Sequence, residues 1–235
     1  MKRLEQRVAI VTGASKGIGL AIARSLAAEG AGVVLAARNA SALAKESEAI
    51  RSQGFSALAV PTDMTDDVQV SNLVAATMKE FGRIDILVNN AGMGVFKRFA
   101  ELDVSDFDTM WALNMRSVFV VTKCVLPYMT KANSGTIVNI ASLAGKNSFV
   151  GGTGYATTKW ALRGWASSLM LEVREHNIRV VTICPGSVET AFSSTGKRGA
   201  HIPQSEDVAE AVVFAVTAPA RSMFSEIDLR PTNPK

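Results

Sequence analysis

The stretch "GYATTKWALRGW", residues 154–165, sets a tyrosine and a lysine four positions apart in a segment of small and apolar residues that reads as a helix. Residues i and i+4 lie one above the other on a helix face, so the Tyr155 phenol and the Lys159 ammonium reach into one space. The chemistry this suggests is proton transfer. A free tyrosine titrates near ~10. An ammonium about 4 Å away is worth roughly 4 kcal/mol at an effective dielectric of about 20, which favours the tyrosinate by about 3 pKa units. Taken alone, such a pair is more often an ordinary exposed pair on a helix surface.

A second chemical stretch is "TGASKGIG", residues 12–19, which closes an apolar run. Gly13, Gly17 and Gly19 let the backbone turn tightly and approach a pyrophosphate at the start of the next helix, where free amides and the helix dipole favour anions. Within it, "GASKG" also matches the G-x-S-x-G nucleophile elbow of serine hydrolases. That reading makes Ser15 a nucleophile with His176 or His201 as base, and leaves Gly19, Tyr155 and Lys159 without a role. A Walker-type loop fits less well, because Lys16 is followed by Gly17 where Ser or Thr would hold magnesium.

The rest of the chain must supply elements that position both stretches. Its 235 residues, 48% hydrophobic and 20% charged, suffice for one large α/β domain, and we read residues 1–235 as a single unit. Seven apolar runs recur between turn residues: "RVAIVTG", "GVVLAAR", "SALAVPTD", "IDILVNNAG", "GTIVNIAS", "IRVVTICPG" and "EIDLRP". Their continuous β-branched character suits strands buried on both faces. Helical stretches alternate with them, including longer ones over residues 104–131 and 153–176. The alternation predicts a doubly wound parallel sheet with helices on both faces, whose ligand binds beyond the carboxyl ends of the strands where strand order reverses. Residues 190–203, "TAFSSTGKRGAHIP", form the one long connection rich in Ser, Gly and charge, and predict a flap.

Composition narrows the function classes. The apolar runs are shorter than the ~18 to 20 residues of a membrane span, and "MKRLEQRVAIVTG" has neither a long apolar core nor a cleavage site, so we expect a cytoplasmic protein with no membrane partner. Cys124 and Cys184 lie far apart, and only His176 and His201 add imidazoles, so no metal site is expected. The net charge of +4 comes without a basic block interleaved with aromatics, which argues against nucleic acid.

In order along the chain, "TGASKGIG", "NNAG" at residues 89–92, Asn114, Ser142, "YATTK" at residues 155–159 and "PG" at residues 185–186 resemble, as a set, the short-chain dehydrogenase/reductase family. The resemblance implies a Rossmann-type fold, a nicotinamide cofactor, and catalysis by Asn114, Ser142, Tyr155 and Lys159. In carbonyl reduction a hydride reaches carbon while an acid delivers a proton to the developing oxyanion. Tyr155 would be that acid, or the base in alcohol oxidation. Lys159 would tune it and donate to the nicotinamide ribose, and Ser142 would give a second hydrogen bond to the carbonyl oxygen. Asn114 is similar to the family's asparagine that holds a water linking Lys159 to solvent. By the same resemblance Asp63 meets the adenine amino group, with a helix N-cap as its other reading, and Met64 adds a backbone contact. Asn90 braces the sheet while Ala91 and Gly92 admit the cofactor. Ile18 lies in the pyrophosphate loop, and Pro185, Gly186, Val188 and Thr190 hold the carboxamide.

The form of the cofactor is read from "VVLAARN", residues 33–39. Where NAD-binding folds place an acid for the adenosine ribose, this chain has Ala37 followed by Arg38. Lys16 adds a second cation, and Ser15 or Asn39 further hydrogen bonds, so NADP(H) is expected. The substrate pocket is expected from Met93, Val95 and Phe96, from Ala144, Ser148, Phe149 and Val150, and from Phe192, a mostly apolar wall suited to a ketone or aldehyde. Lys146, Lys197 and Arg198 read as solvated loop charge. Phe107, Trp111, Val118, Phe119, Val121, Val125 and Met129 surround much of one helix, and Trp160, Leu162, Trp165 and Met170 lie on another. This predicts a homodimer or homotetramer through the two long helices. A nucleotide-sensing binding protein on the same fold is the competing class.

Overall fold

The computed structural model describes residues 2–189 and 202–233. All seven apolar runs form strands: β1 (Val8–Thr12), β2 (Gly32–Ala37), β3 (Ala57–Pro61), β4 (Ile86–Asn89), β5 (Gly135–Ile140), β6 (Ile178–Pro185) and β7 (Glu226–Leu229). They pair in parallel in the order β3-β2-β1-β4-β5-β6-β7. Alternate side chains of each strand enter different cores. Ala9, Val11, Val33, Leu35, Val138 and Val181 face α1 (Gly17–Ala28), α2 (Ala40–Arg51) and α7 (Ser205–Val216). Ile10, Val34, Leu87, Ile137 and Val180 face α3 (Asp67–Phe81), α5 (Ser117–Ala132) and α6 (Thr153–Val173). Burial on both faces is why the inner strands are largely apolar rather than alternating, whereas the edge strand β7 alternates Glu226 and Asp228 with Ile227 and Leu229. Order reverses at β1, which lies between β2 and β4, and so the crevice opens beyond the carboxyl ends of β1 and β4.

The segment expected as one helix over residues 104–131 is interrupted. α4 (Val104–Trp111) passes into a π-helical turn, Ala112–Arg116, before α5 begins. Single π turns widen the helix by one residue and redirect a side chain, and here the redirected residue is Asn114. The Ser117 hydroxyl donates to the Leu113 carbonyl at 2.6 Å, satisfying a group the irregular turn leaves exposed to competition.

The expected apolar excess around this helix is mostly internal. Val118, Val121, Val125 and Met129 are buried, as is Leu162 of α6, because α5 is packed by the sheet, α3 and α6 together. Trp111, Phe119 and Trp160 remain substantially exposed.

One polar pair crosses the apolar interior. Asn89 and Asn139 are register partners on β4 and β5, and Asn89 Nδ2 donates to Asn139 Oδ1 at 2.9 Å and to Thr122 Oγ1 at 3.3 Å. Asn89 Oδ1 and Asn139 Nδ2 have no protein partner among the described residues. No helix among those residues is long and apolar enough to cross a membrane.

Candidate active site

Four elements converge beyond the ends of β4 and β5. Ser142 leaves β5 and opens a short 3-10 turn, Leu143–Gly145, where its Oγ accepts the Ala144 N–H at 3.1 Å. Ser142 also shares a hydrogen bond with Tyr155, one turn into α6. Lys159 follows on the same helix face, and its Nζ lies 5.7 Å from the Tyr155 ring centroid and donates to the Ile140 carbonyl at 2.9 Å. Asn114 reaches in from the π turn: its Oδ1 accepts the Met93 N–H at 2.8 Å, and its Nδ2 donates to the Met93 carbonyl at 2.8 Å and to Thr158 Oγ1 at 3.0 Å. A Cβ on Gly92 would come within 3.2 Å of Asn114 Oδ1 and 3.8 Å of Lys159 Nζ, so Asn114, Ser142, Tyr155 and Lys159 share one space.

The Asn114 amide is committed to protein groups, stapling the loop after β4 to α6. One expectation changes: the protein's own groups do not bring Tyr155 towards neutrality. Burial pushes the phenol up to about 12, with the Ser142 hydrogen bond opposing, and burial pushes Lys159 down to about 8, with nearby Cys184 opposing. Both groups are less than a tenth exposed, and the ammonium aims its hydrogen bond at Ile140 rather than at the phenol, so desolvation outweighs the attraction that spacing alone suggests.

The glycine loop is built against β4. Gly13 and Gly17 adopt φ of +67° and +56°, which a side chain would strain. A Cβ on Gly19 would lie 2.4 Å from both the Gly13 carbonyl and Asn90 Nδ2. Asn90 Nδ2 donates to the Thr12 carbonyl at 2.8 Å and so ties the ends of β1 and β4 together. Thr12, which sequence reading passed over, completes the brace: its Oγ1 accepts the Asn90 and Ala91 N–H groups, each at 3.0 Å, and donates to the Val88 carbonyl at 3.2 Å. Thr158 was also missed; its hydroxyl donates to the Tyr155 carbonyl at 2.8 Å while accepting from Asn114. Their signal was a threonine inside each quoted motif.

The start of α1 has no side-chain cap, whereas Asn39 caps α2 through the Ala42 N–H and Asp66 caps α3 through Val68 and Gln69. Uncapped amides at a glycine-opened helix start are the donors an anion satisfies. Lys16 and Arg38 are exposed and make no ion pair among the described residues. Ser15 is half-buried in the loop and Ile18 packs on the α1 core. Asp63 is not an N-cap: its Oδ1 accepts from the Thr65 N–H at 2.9 Å and hydroxyl at 2.7 Å, because Asp66, three residues on, takes the helix start. The Thr65 bonds, and after them the nearby Arg38 guanidinium, hold the Asp63 carboxyl below its usual range. The Met64 side chain is buried in the α3–α5 core, leaving its backbone for the crevice. Pro185 ends β6, the Gly186 N–H donates to the Leu229 carbonyl at 2.8 Å, and Val188 packs on the α1–α7 core. Thr190, Phe192, Lys197, Arg198 and His201 lie outside the described residues, as does the flap apart from Ile202 and Pro203. The glycine cradle, open amides and two cations fit a phosphorylated dinucleotide.

At the mouth, Phe96 meets the Tyr155 ring edge-on at 5.3 Å between centroids and lies 6.0 Å from Phe149. Both phenylalanines are nearly half exposed, so they are walls rather than core. Met93 is fixed by Asn114, and Val95 donates its N–H to Met110 Sδ at 3.3 Å. Lys146 is not solvated loop charge, being paired to Glu226 and Asp228. His176 lies in the turn Arg174–His176 ahead of β6, at the amino ends of the strands, while Ser15 lies past the carboxyl end of β1; this pair cannot act as a hydrolase dyad.

A parallel sheet of this order, with a glycine cradle at its reversal point and a Ser–Tyr–Lys cluster beside it, defines a Rossmann-type oxidoreductase. The family model for short chain dehydrogenase matches residues 7–199, and the chain belongs to the short-chain dehydrogenase/reductase family. It is 34% identical over 232 residues to an uncharacterised oxidoreductase of Staphylococcus epidermidis, covering 98% of this chain and all of the relative. It is 36% identical to another from Staphylococcus saprophyticus, again over 98% of this chain and all of the relative. Among solved structures it is similar to a metagenomic short-chain oxidoreductase in complex with NADP (TM-score 0.87, 34% identity, 98% of this chain and 99% of that one). It is also similar to a 7α-hydroxysteroid dehydrogenase complexed with NADH and 7-oxo glycochenodeoxycholic acid (TM-score 0.92, 32% identity, 98% of this chain and 95% of that one).

Proposed function

We propose that the protein reduces a ketone or aldehyde with NADPH, Tyr155 acting as the proton donor. The observation that carries this reading is the Ser142–Tyr155 hydrogen bond at the mouth of the crevice, with Lys159 buried behind it. NADPH, when bound, supplies the hydride. Ser142 and Tyr155 hold the carbonyl oxygen between two hydroxyls, and the Tyr155 phenol releases its proton as negative charge develops there, giving the alcohol. A phenol kept protonated by burial is in the form that donates a proton in reduction. Asn114 and Thr158 keep the Met93 loop against α6, and Phe96 and Phe149 present an apolar wall to the substrate's substituents. This wall favours aryl or bulky aliphatic carbonyls over polyols.

The preference for NADPH rests on Lys16 and Arg38, exposed and without ion pairs among the described residues, together with Ala37 in place of an acid. The NADP complex of the metagenomic relative supports it. A charge-assisted bond contributes about 1.5 to 3 kcal/mol, so one good contact gives a preference of roughly 10- to 100-fold. Assaying a carbonyl panel by loss of NADPH and NADH absorbance tests both parts. Equal or better kcat/KM with NADH would refute the cofactor assignment, and Ala37→Asp with Arg38→Ala should move the preference towards NADH. Tyr155→Phe should keep NADPH affinity and lose at least about 100-fold in reduction, as expected for removal of a general acid. If no carbonyl is turned over while NADPH binds, the sensing protein is the correct class. For assembly we propose a homodimer, or a tetramer built from it, through the α4–α5 segment and α6, on the exposed Trp111, Phe119 and Trp160.

A further inference from the structure

Behind the Ser142 turn, away from the crevice, four charged side chains from three elements meet. Glu226 and Asp228 alternate with Ile227 and Leu229 along β7 and so project on the same side of that strand. Lys146, just past the turn, pairs with Glu226 at 2.5 Å and with Asp228. Arg163, one helical turn after Lys159, holds Glu226 with two nitrogens, Nε at 2.7 Å and Nη2 at 3.3 Å. Its Nη1 donates to the Gly145 carbonyl at 2.5 Å. None of the four side chains is more than one-third exposed.

The contacts have a direction. Gly145 closes the turn that Ser142 opens, and a Cβ there would lie 2.8 Å from the Lys159 carbonyl oxygen and 3.0 Å from Arg163 Cδ. The turn therefore rests on the backbone of the residue that carries the ammonium, with no side chain between. Within the turn, the Gly145 N–H donates to the Ser142 carbonyl at 2.9 Å, and the Lys146 and Asn147 N–H groups to the Leu143 carbonyl at 2.9 and 2.8 Å. Isolated exposed ion pairs do little. This one is shared, partly buried, and bonded to the backbone of the turn. We propose that Arg163 and Glu226, with Lys146 and Asp228, are positioning residues that clamp the Ser142 turn onto α6 and so set the Ser142 hydroxyl against Tyr155 and Lys159. The inference rests on the reading of Ser142 and Tyr155 as the groups that meet the carbonyl oxygen. A displacement of about 1 Å in such a pair is enough to cost up to about 100-fold in rate.

The test compares Arg163→Ala, Glu226→Gln and Arg163→Lys with Arg3→Ala, which removes a separate ion pair to Glu29 at the far end of the molecule. Two measurements are made on each: kcat and KM with NADPH and a carbonyl that the wild type reduces, and hydrogen exchange at the amides of Gly145, Lys146 and Asn147. Arg163→Ala and Glu226→Gln should lower kcat by roughly 10- to 100-fold with little change in the KM for NADPH, and should speed exchange at those amides. Arg163→Lys, which keeps the cation, should recover part of kcat, and Arg3→Ala should alter neither readout. Wild-type kcat with wild-type exchange in Arg163→Ala and Glu226→Gln overturns the inference, as does an equal loss in Arg3→Ala. If the wild type reduces no carbonyl, the functional reading fails, and the exchange rates alone then decide whether the network holds the turn.

Discussion

Lys159 shows how far one residue can be pulled from its own preference. A drop from the ordinary 10.5 to about 8 corresponds to a penalty on the order of 3 kcal/mol for holding the charged form in the fold. Between about pH 8 and 10.5 the unfolded chain binds the proton and the folded chain does not, so this residue makes stability rise with pH across that window. Lys159→Met should therefore be more stable than the wild type near neutrality, by up to about 3 kcal/mol, with the gap closing as pH rises. Urea unfolding at the two ends of the window checks this, and a variant no more stable at neutral pH would show that the burial costs nothing. On the proposed function, the same titration governs activity. Tyr155, at about 12, stays protonated, so carbonyl reduction should fall as pH passes upward through about 8 because the Lys159 charge is lost. A pH–rate profile flat to pH 10 in the wild type would contradict it.

At the scale of elements, the seven strands could be read directly, because continuous β-branched runs between turn residues have few other uses in a chain this long. The glycine cradle and the Tyr155–Lys159 face were equally plain, since each depends on spacing within one element or one turn. What the sequence hid depends on partners far along the chain. The π turn at Asn114 follows from two bonds to the Met93 backbone and one to Thr158, which periodicity does not encode. The pairing of Lys146 with Glu226 and Asp228 spans β5 to β7 and was invisible for the same reason. Asp63 and Asp66 are both plausible caps by position, and only the helix start decides between them. Asn114→Ala should leave the part-buried Met93 N–H and carbonyl without their side-chain partner and cost about 1–3 kcal/mol, read as a lower urea midpoint. Gly19→Ala must move backbone, since its Cβ would lie 2.4 Å from the Gly13 carbonyl, and should raise the KM for NADPH more than it lowers kcat. Unchanged NADPH binding would remove the cradle from the cofactor site.

For the molecule as a whole, Trp111, Phe119 and Trp160 leave an apolar surface on the helices that flank the crevice. Light scattering at micromolar concentration should give at least a dimer mass, and Phe119→Asp with Trp160→Asp should return it to monomer; a monomeric wild type would exclude the proposed assembly. The Asn89–Asn139 pair bears on how the whole sheet finds its order. When strands are apolar on both sides, sliding one past its neighbour by a residue still buries greasy side chains, so hydrophobicity alone discriminates poorly between alignments. An amide on each of two adjacent central strands breaks that degeneracy, because a slip by one residue leaves both stranded in hydrocarbon. Their half-satisfied hydrogen bonding is then a cost that selects one alignment over its near neighbours. Replacing both by valine should raise equilibrium stability while adding slow phases to refolding, as misaligned sheets form and must come apart.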